Sequence, residues 1–302
     1  MIEFTKLTDD NVFMLPKYMS CQRFKTSDYT TGSIYMWREY YGVEFAIIED
    51  MLVVKTDTEH NGICYSYPVG CADDKKVLDI LGEGKDALKL CNVPKDALVR
   101  LKSFYGEEKL KYEDQREWAD YIYEVEQFCT FSGKKLHAKR NFLNRFKKNC
   151  NLYDFVPLTV ANSSQALEFL ENYYEEEKDV SSDDCAATAQ EDAIRAQEAI
   201  KKLHLLPTFT GGMLICEDKV KGVTAGEIIG DMLYVHIEKA TLTRPGVYQA
   251  LSSEYAKFAK KRGAKFINRA DDSGDEGLRK SKLSYNPIDI LPKYYVEGEL
   301  AK

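Results

Sequence analysis

Three β-rich runs, "FTGGMLICED" (209–218), "KVKGVTAGEII" (219–229) and "DMLYVHIEKA" (231–240), follow one another with only turn residues near 217–219 and 230–231 between them. Connections this short join antiparallel neighbours, because a parallel crossover needs a dozen residues or more. This part of the chain is therefore expected to build its sheet on a meander. The helix-like run "GVYQALSSEYAKFAKKRG" and the strand-like "AKFINR" come next.

The first third of the chain shows the same order. "VEFAIIED", "MLVVKTD" and "GICYSYPVG" form an earlier meander, followed by a helix in "DDKKVLDILGEG", a strand in "LKLCNV", a helix in "PKDALVRLKSFYGE" and a strand in "ADYIYEVE". With 302 residues and about 150 residues per domain, the pattern predicts an α/β (α+β) protein of two domains. Each is a mixed, mostly antiparallel sheet flanked by helices. The break is expected near residues 126–133, giving an N-terminal domain of 1–130 and a C-terminal domain of 131–302 that carries the site. The acidic "EEEKDVSSDDCAATAQ" (175–190) reads either as a surface connector or as a lid over a site.

Charge and composition limit the function classes. There are 49 acidic and 42 basic residues, a net charge of −7, so long-range steering onto duplex DNA is not expected and any polyanion contact must be local. The eight cysteines include no CxxC pair and only four His accompany them, so zinc spacing is missing and reduced, mostly buried thiols are expected. "DDSGDE" lacks the alternating acids of a calcium loop, so no metal is expected. The start "MIEFTKLTDDNVF" has no apolar leader core, and no apolar run approaches the roughly 20 residues that cross a bilayer. A cytoplasmic protein with no integral membrane segment is the expectation.

Candidate chemistry gathers in the second half. Along "DMLYVHIEKA", period 2 puts Leu233, Val235 and Ile237 on one face and Tyr234, His236 and Glu238 on the other. Either His236 and Glu238 line one cleft as base and partner, or a helix covers this face, with Tyr234 packed and His236 satisfied by a backbone carbonyl. Arg244 and Gly246, in the turn after this strand, would present free backbone N–H groups at a helix N-terminus to a phosphate. In "NRADDSGDEGLRKSKLSYNP", Asn268, Arg269, Arg279 and Lys282 are further substrate or phosphate candidates. Arg279 and Lys282, three apart, are expected on one helix face.

"GKKLHAKRNFLNRFKKN" (133–149) carries seven Lys and Arg plus His137. On a helical wheel Leu136, Phe142, Leu143 and Phe146 span about 120°, an ordinary buried stripe, and Lys135 and Lys139 fall inside it. Either their stems run over the edge of the core or, with Arg140 nearby, they face an anionic ligand. Gly133 leaves room for a phosphate at the helix start. With only Phe142 and Phe146 interleaved, the helix lacks the stacking platform of a nucleic-acid binder. A small contact to a tRNA acceptor end remains compatible with it.

"DYIYEVEQFCTFSGKKLHAKRNFLNRF", "YVHIEKA" and "YQALSSEYAKFAKKRGAKFINRADDSGDEGLRKSKLSYNP" together resemble a bacterial domain-of-unknown-function family grouped with the phosphatidylglycerol lysyltransferase C-terminal domain. The resemblance spans essentially the whole chain. It implies two tandem GNAT-like domains in the layout of the Fem peptidyltransferases. It also implies an acyltransferase, with an acyl-CoA or an aminoacyl-tRNA as donor and a lipid head group, peptide or small molecule as acceptor. A non-catalytic module binding a tRNA end, a nucleotide or an acylated carrier is the alternative. The GNAT pyrophosphate loop of Gln or Arg, two residues, Gly, one residue, then Gly or Ala is matched imperfectly here. Thr243-Arg244-Pro245-Gly246-Val247-Tyr248 places the Arg one position late and a Tyr where a small residue belongs. Leu278 and Lys282 match the Leu-x-x-Phe-Lys segment of the Fem group loosely.

Overall fold

The computed structural model describes residues 2–58, 62–150, 152–178, 183–241 and 244–299. The strands are β1 (Thr5–Lys6), β2 (Glu44–Ile48), β3 (Met51–Thr58), β4 (Gly62–Tyr65), β5 (Leu88–Pro94), β6 (Leu110–Asp114), β7 (Asp120–Glu124), β8 (Tyr153–Pro157), β9 (Phe209–Cys216), β10 (Lys219–Ile229), β11 (Met232–Ala240), β12 (Phe266–Asn268), β13 (Asp289–Leu291) and β14 (Lys293–Gly298). The helices are α1 (Leu15–Met19), α2 (Thr31–Met36), α3 (Asp74–Gly82), α4 (Lys95–Tyr105), α5 (Val125–Thr130), α6 (His137–Asn149), α7 (Ser163–Lys178), α8 (Asp183–Lys201), α9 (Val247–Lys260) and α10 (Glu276–Leu283). They form two compact units. Of the expected connector or lid, residues 179–182 lie outside the described residues and the segments on either side are helical.

Unit 1 comprises Met1–Tyr121, Ala270–Arg279 and Ile290–Lys302. Its sheet runs β1-β2-β3-β4-β5-β14-β6, with the predicted meander in β2, β3 and β4. The C-terminal strand β14 is inserted between β5 and β6, antiparallel to both. One residue anchors it: Lys293 is fully buried, with its Nζ 2.5 Å from Asp28, 2.8 Å from Asp120 and 4.0 Å from Asp271. Ser27 helps to hold Asp120, its amide and hydroxyl donating at 2.5 and 3.1 Å. Three carboxylates around one ammonium leave excess negative charge in a poorly solvated place. Burial accordingly pushes the Asp28 carboxyl up to about 6, Lys293 opposing and Asp120 adding to the shift.

Unit 2 comprises Ile122–Arg269 and Lys280–Asp289. Here the order is β13-β7-β12-β11-β10-β9-β8, with the meander β9-β10-β11 as expected. Helix α9 packs on β8, β9, β10 and β11, with α5 and α6 against it, while α7 packs on β10 and β11 and carries α8 beside it. The cysteine expectation needs correcting in part, since Cys150 and Cys216 are bonded to each other with their Cα atoms 6.4 Å apart. Cys150 directly follows α6, and the pairing of β8 with β9 brings Cys216 opposite Tyr153. Cys21, Cys64, Cys71, Cys91 and Cys129 are free thiols.

Candidate functional site

The β10–β11 ladder changes register inside the stretch expected to hold the catalytic pair. Ala225 faces Ile237 but Gly226 faces Val235, so His236 is an extra residue without a direct partner. A bulge of this kind breaks the alternation of faces, because residues paired across a ladder point to the same side. Ile237 therefore shares its side with Ala225, Glu227 and Tyr234, whereas Glu238 shares the other with Thr224. Gly226 makes the bulge fit, since a Cβ there would sit 1.9 Å from the Tyr234 carbonyl oxygen.

The consequence corrects the period-2 reading, because His236 and Glu238 do not line one cleft. His236 Nε2 lies 3.1 Å from Glu227 Oε2, with both side chains almost completely buried. Phe209 stacks on its ring, and Thr208 donates to the other Glu227 oxygen at 2.6 Å. Glu238 instead faces α9, where the Ser252 hydroxyl donates to its Oε1 at 2.5 Å. Arg269 Nη2 meets the same oxygen at 3.0 Å.

The position of this ion pair follows from the sheet. Strands β11 and β12 are parallel and pair only over Met232–Tyr234 with Phe266–Asn268, so from Val235 onward β11 has lost its neighbour on that side. β12 itself ends at Asn268, and the place beyond its end, beside the continuing β11, is called the notch below. Glu238 enters it from β11 and Arg269 from the end of β12. Arg269 is 15% exposed. Burial disfavours its charge, but Glu238 outweighs that and keeps the guanidinium protonated.

Two aromatic rings floor the notch. The Arg269 guanidinium carbon lies 4.8 Å from the Tyr285 ring centroid and 5.6 Å from that of Phe128, and the two rings stack on each other at 5.3 Å. Gln249 on α9 donates to the Tyr285 hydroxyl at 2.9 Å. Lys139, on α6, holds its Nζ 3.9 Å from the centroid of that same Tyr285 ring. Burial and the nearby Arg269 charge both push the Lys139 ammonium pKa down. Lys282 is buried, and its Nζ donates to the Arg269 carbonyl oxygen at 2.6 Å, which fixes the backbone that carries the guanidinium.

Other candidates are placed elsewhere. Lys135 is exposed and precedes α6, which begins at His137, so only Lys139 follows the wheel. Phe142, expected in the buried stripe, is 42% exposed, while Leu136, Leu143 and Phe146 are buried. Arg140 donates to the carbonyl oxygens of Phe131 and Gly133 at 3.0 and 3.1 Å and so ties down the chain before α6. Asn268 is buried within β12. Arg279 does not act with Lys282; it grips the buried Asp272 through two hydrogen bonds at 2.9 and 2.7 Å, beside Arg116 and Tyr121. Burial would raise the Asp272 carboxyl, but Arg279, Tyr121 and the Gly274 amide overcome it and lower it to about 2.

The expected phosphate turn is packed. A Cβ on Gly246 would lie 2.1 Å from the Phe142 carbonyl oxygen of α6, and its φ is +90°. Glycine is therefore required there for the close approach of α6 to the start of α9, not for an incoming phosphate. Arg244 turns away to Glu217, 2.9 Å from its Oε2, and Thr243 lies outside the described residues. Ser252, Gln249, Tyr285 and Phe128 were not among the sequence candidates. They look like ordinary α5, α9 and loop residues until the fold brings them to the notch.

A family model described as "Phosphatidylglycerol lysyltransferase, C-terminal" matches residues 22–297. A crystal structure of a conserved protein of unknown function from Bacteroides thetaiotaomicron superposes with a TM-score of 0.88 at 30% identity, covering 99% of this chain and 100% of that one. The structure of L-PGS from Bacillus licheniformis superposes with a TM-score of 0.67 at 13% identity over 96% and 92% of the two chains, a likeness of fold. Among curated proteins, the uncharacterized protein MYCGA3080 of Mycoplasmoides gallisepticum is 29% identical over 179 residues, or 59% of this chain. The match spans 56% of that relative's length. The two seven-stranded mixed sheets flanked by helices are the expected mixed α/β architecture. Among the described residues no helix is long and apolar enough to cross a membrane.

Proposed function

Because the chain belongs to the phosphatidylglycerol lysyltransferase C-terminal family, we propose that its unit 2 is an acyltransferase. It moves an aminoacyl group from aminoacyl-tRNA onto a hydroxyl or amine, and the reaction takes place in the notch between β11 and β12. The observation that carries this reading is the Glu238–Arg269 pair placed just beyond the last paired residues of β11 and β12. The attacking hydroxyl or amine must lose a proton as it adds to the ester carbon. Glu238, fixed by Ser252, takes that proton and returns it to the ribose oxygen of the tRNA as the acyl–oxygen ester bond breaks. Lys139 and the second guanidinium nitrogen of Arg269 supply positive charge for the developing oxyanion or for a substrate phosphate. His236, held in its network with Glu227, shapes the strand.

The packed start of α9 favours an aminoacyl ester over acyl-CoA as donor. An acyl-CoA would lay its pyrophosphate on the helix N-terminus, and α6 approaches that turn so closely that the Phe142 carbonyl stands where a Gly246 Cβ would be. The acceptor proposed is a lipid head group, with a peptide or small-molecule amine as the other choice. Incubating the purified protein with radiolabelled lysyl-tRNA and phosphatidylglycerol vesicles, and in parallel with labelled acetyl-CoA, tests the reading. Label passing from the tRNA into lipid is expected. Transfer only from acetyl-CoA overturns the choice of donor, and transfer from neither overturns the acyltransferase reading for these substrates.

A further inference from the structure

Resting on that reading, we propose that the notch is an anion-exchange gate. A phosphodiester group enters between Arg269 and Lys139, draws the guanidinium away from Glu238, and so frees the carboxylate as a base only when a phosphate-bearing substrate is present. Three observations lead there. Arg269 Nη1 is buried and has no hydrogen-bond partner, an arrangement that costs free energy unless a ligand completes it. Lys139 has no carboxylate within salt-bridge distance among the described residues, yet its Nζ is half-buried against the ring that Arg269 also faces. The group of Arg269, Lys139 and Glu238 carries two positive charges and one negative, a surplus that one singly charged phosphodiester cancels.

The aromatic floor explains how the cations wait. Faces of Tyr285 and Phe128 stabilise a nearby cation without neutralising it, so an anion that binds both cations gains more than the rings lose. Glu238 and the incoming phosphate then compete for the same guanidinium, and a phosphate oxygen has the additional contact with Lys139. In the resting arrangement Ser252 and Arg269 both hold Glu238 through its Oε1, and the guanidinium stays on the carboxylate until an anion takes its place. The ligand chemistry is a phosphodiester, which a lipid head group and the 3′ end of an RNA both contain.

Isothermal titration of the full chain with glycerophosphoglycerol, with the dinucleotide CpA and with acetate tests the gate, each variant being first checked for native circular dichroism. Binding of one diester is expected, and that diester identifies the source. Lys139→Met is expected to weaken binding at least tenfold. Glu238→Gln, which removes the competing carboxylate, is expected to strengthen it by about tenfold. An affinity unchanged or weakened by Glu238→Gln overturns the gate, as does acetate binding as tightly as the diesters or neither diester binding at millimolar concentration. The readout is binding alone. Diester binding with this mutational pattern but no transfer would therefore sink the transferase reading and leave the anion site, whereas transfer without the pattern would do the reverse.

Discussion

Arg269 Nη2 lies 3.0 Å from Glu238 Oε1, just beyond the end of a parallel pair of strands that is only three residues long. Both groups are shielded from water, so removing either leaves the other poorly solvated. Deleting one partner of such a pair costs about 3–5 kcal/mol, much of it the penalty of stranding the other charge. Glu238→Ala should therefore lower urea-unfolding stability by about that amount. Glu238→Ala combined with Arg269→Met should recover part of it, and additive single and double mutants would show that the pair is not coupled.

Gly246 sits where two helices touch. With a positive φ and a Phe142 carbonyl oxygen in the place of any Cβ, Gly246→Ala should destabilise unit 2 by about 2 kcal/mol or more, through backbone strain and displacement of α6. Because α6 carries Lys139, the same variant should also weaken any ligand that needs Lys139. Urea denaturation reads the first effect and calorimetry the second.

The two meanders and the helices that follow them were legible because turn residues and periodicity report local structure directly. The bulge at His236 was not. One extra residue in a strand leaves the hydrophobic alternation of "DMLYVHIEKA" intact while reversing which side Glu238 faces, and only the register against Ala225 and Gly226 shows it. The same holds for Lys293. A lysine beside Tyr294 and Tyr295 reads as an edge charge until Asp28, Asp120 and Asp271, all distant in sequence, close around it. Lys139 was found because a cation inside an apolar arc is a local anomaly. Its partners Arg269 and Tyr285 are more than a hundred residues away.

The buried cluster in unit 1 makes a pH prediction. The Asp28 carboxyl stands at about 6, above its ordinary value of 3.8, so the folded state binds this proton more tightly than the unfolded chain does. The stability it contributes is complete below about pH 4 and is lost as pH rises through 6. Asp272, lowered to about 2, acts in the opposite sense and loses its contribution as pH falls from about 4 through 2. Asp28→Asn should flatten the decline between pH 4 and 7 in urea-unfolding curves. Lys293→Met, which strands the carboxylates, should cost about 3–5 kcal/mol at pH 7 and less at pH 5.

The Cys150–Cys216 bond closes a loop with a sequence separation of 66. Loop-closure entropy assigns a cross-link of that span about 4 kcal/mol at most, and 2–4 kcal/mol is typical. Dithiothreitol should lower the urea midpoint of the wild type by a corresponding amount and leave Cys150→Ala combined with Cys216→Ala unchanged. Equal midpoints with and without reductant would show that the bond contributes nothing.

The central claim is that Glu238, in the notch and not paired with His236, takes the proton during acyl transfer. The direct measurement is the rate of labelled lysine transfer from lysyl-tRNA to phosphatidylglycerol by the wild type, Glu238→Gln and His236→Gln, with folding verified for each. Glu238→Gln is expected to lower the rate by about 10²–10⁴, the usual range for loss of a general base, with His236→Gln within about tenfold of the wild type. A Glu238→Gln protein that transfers at the wild-type rate, or a loss confined to His236→Gln, would contradict the assignment.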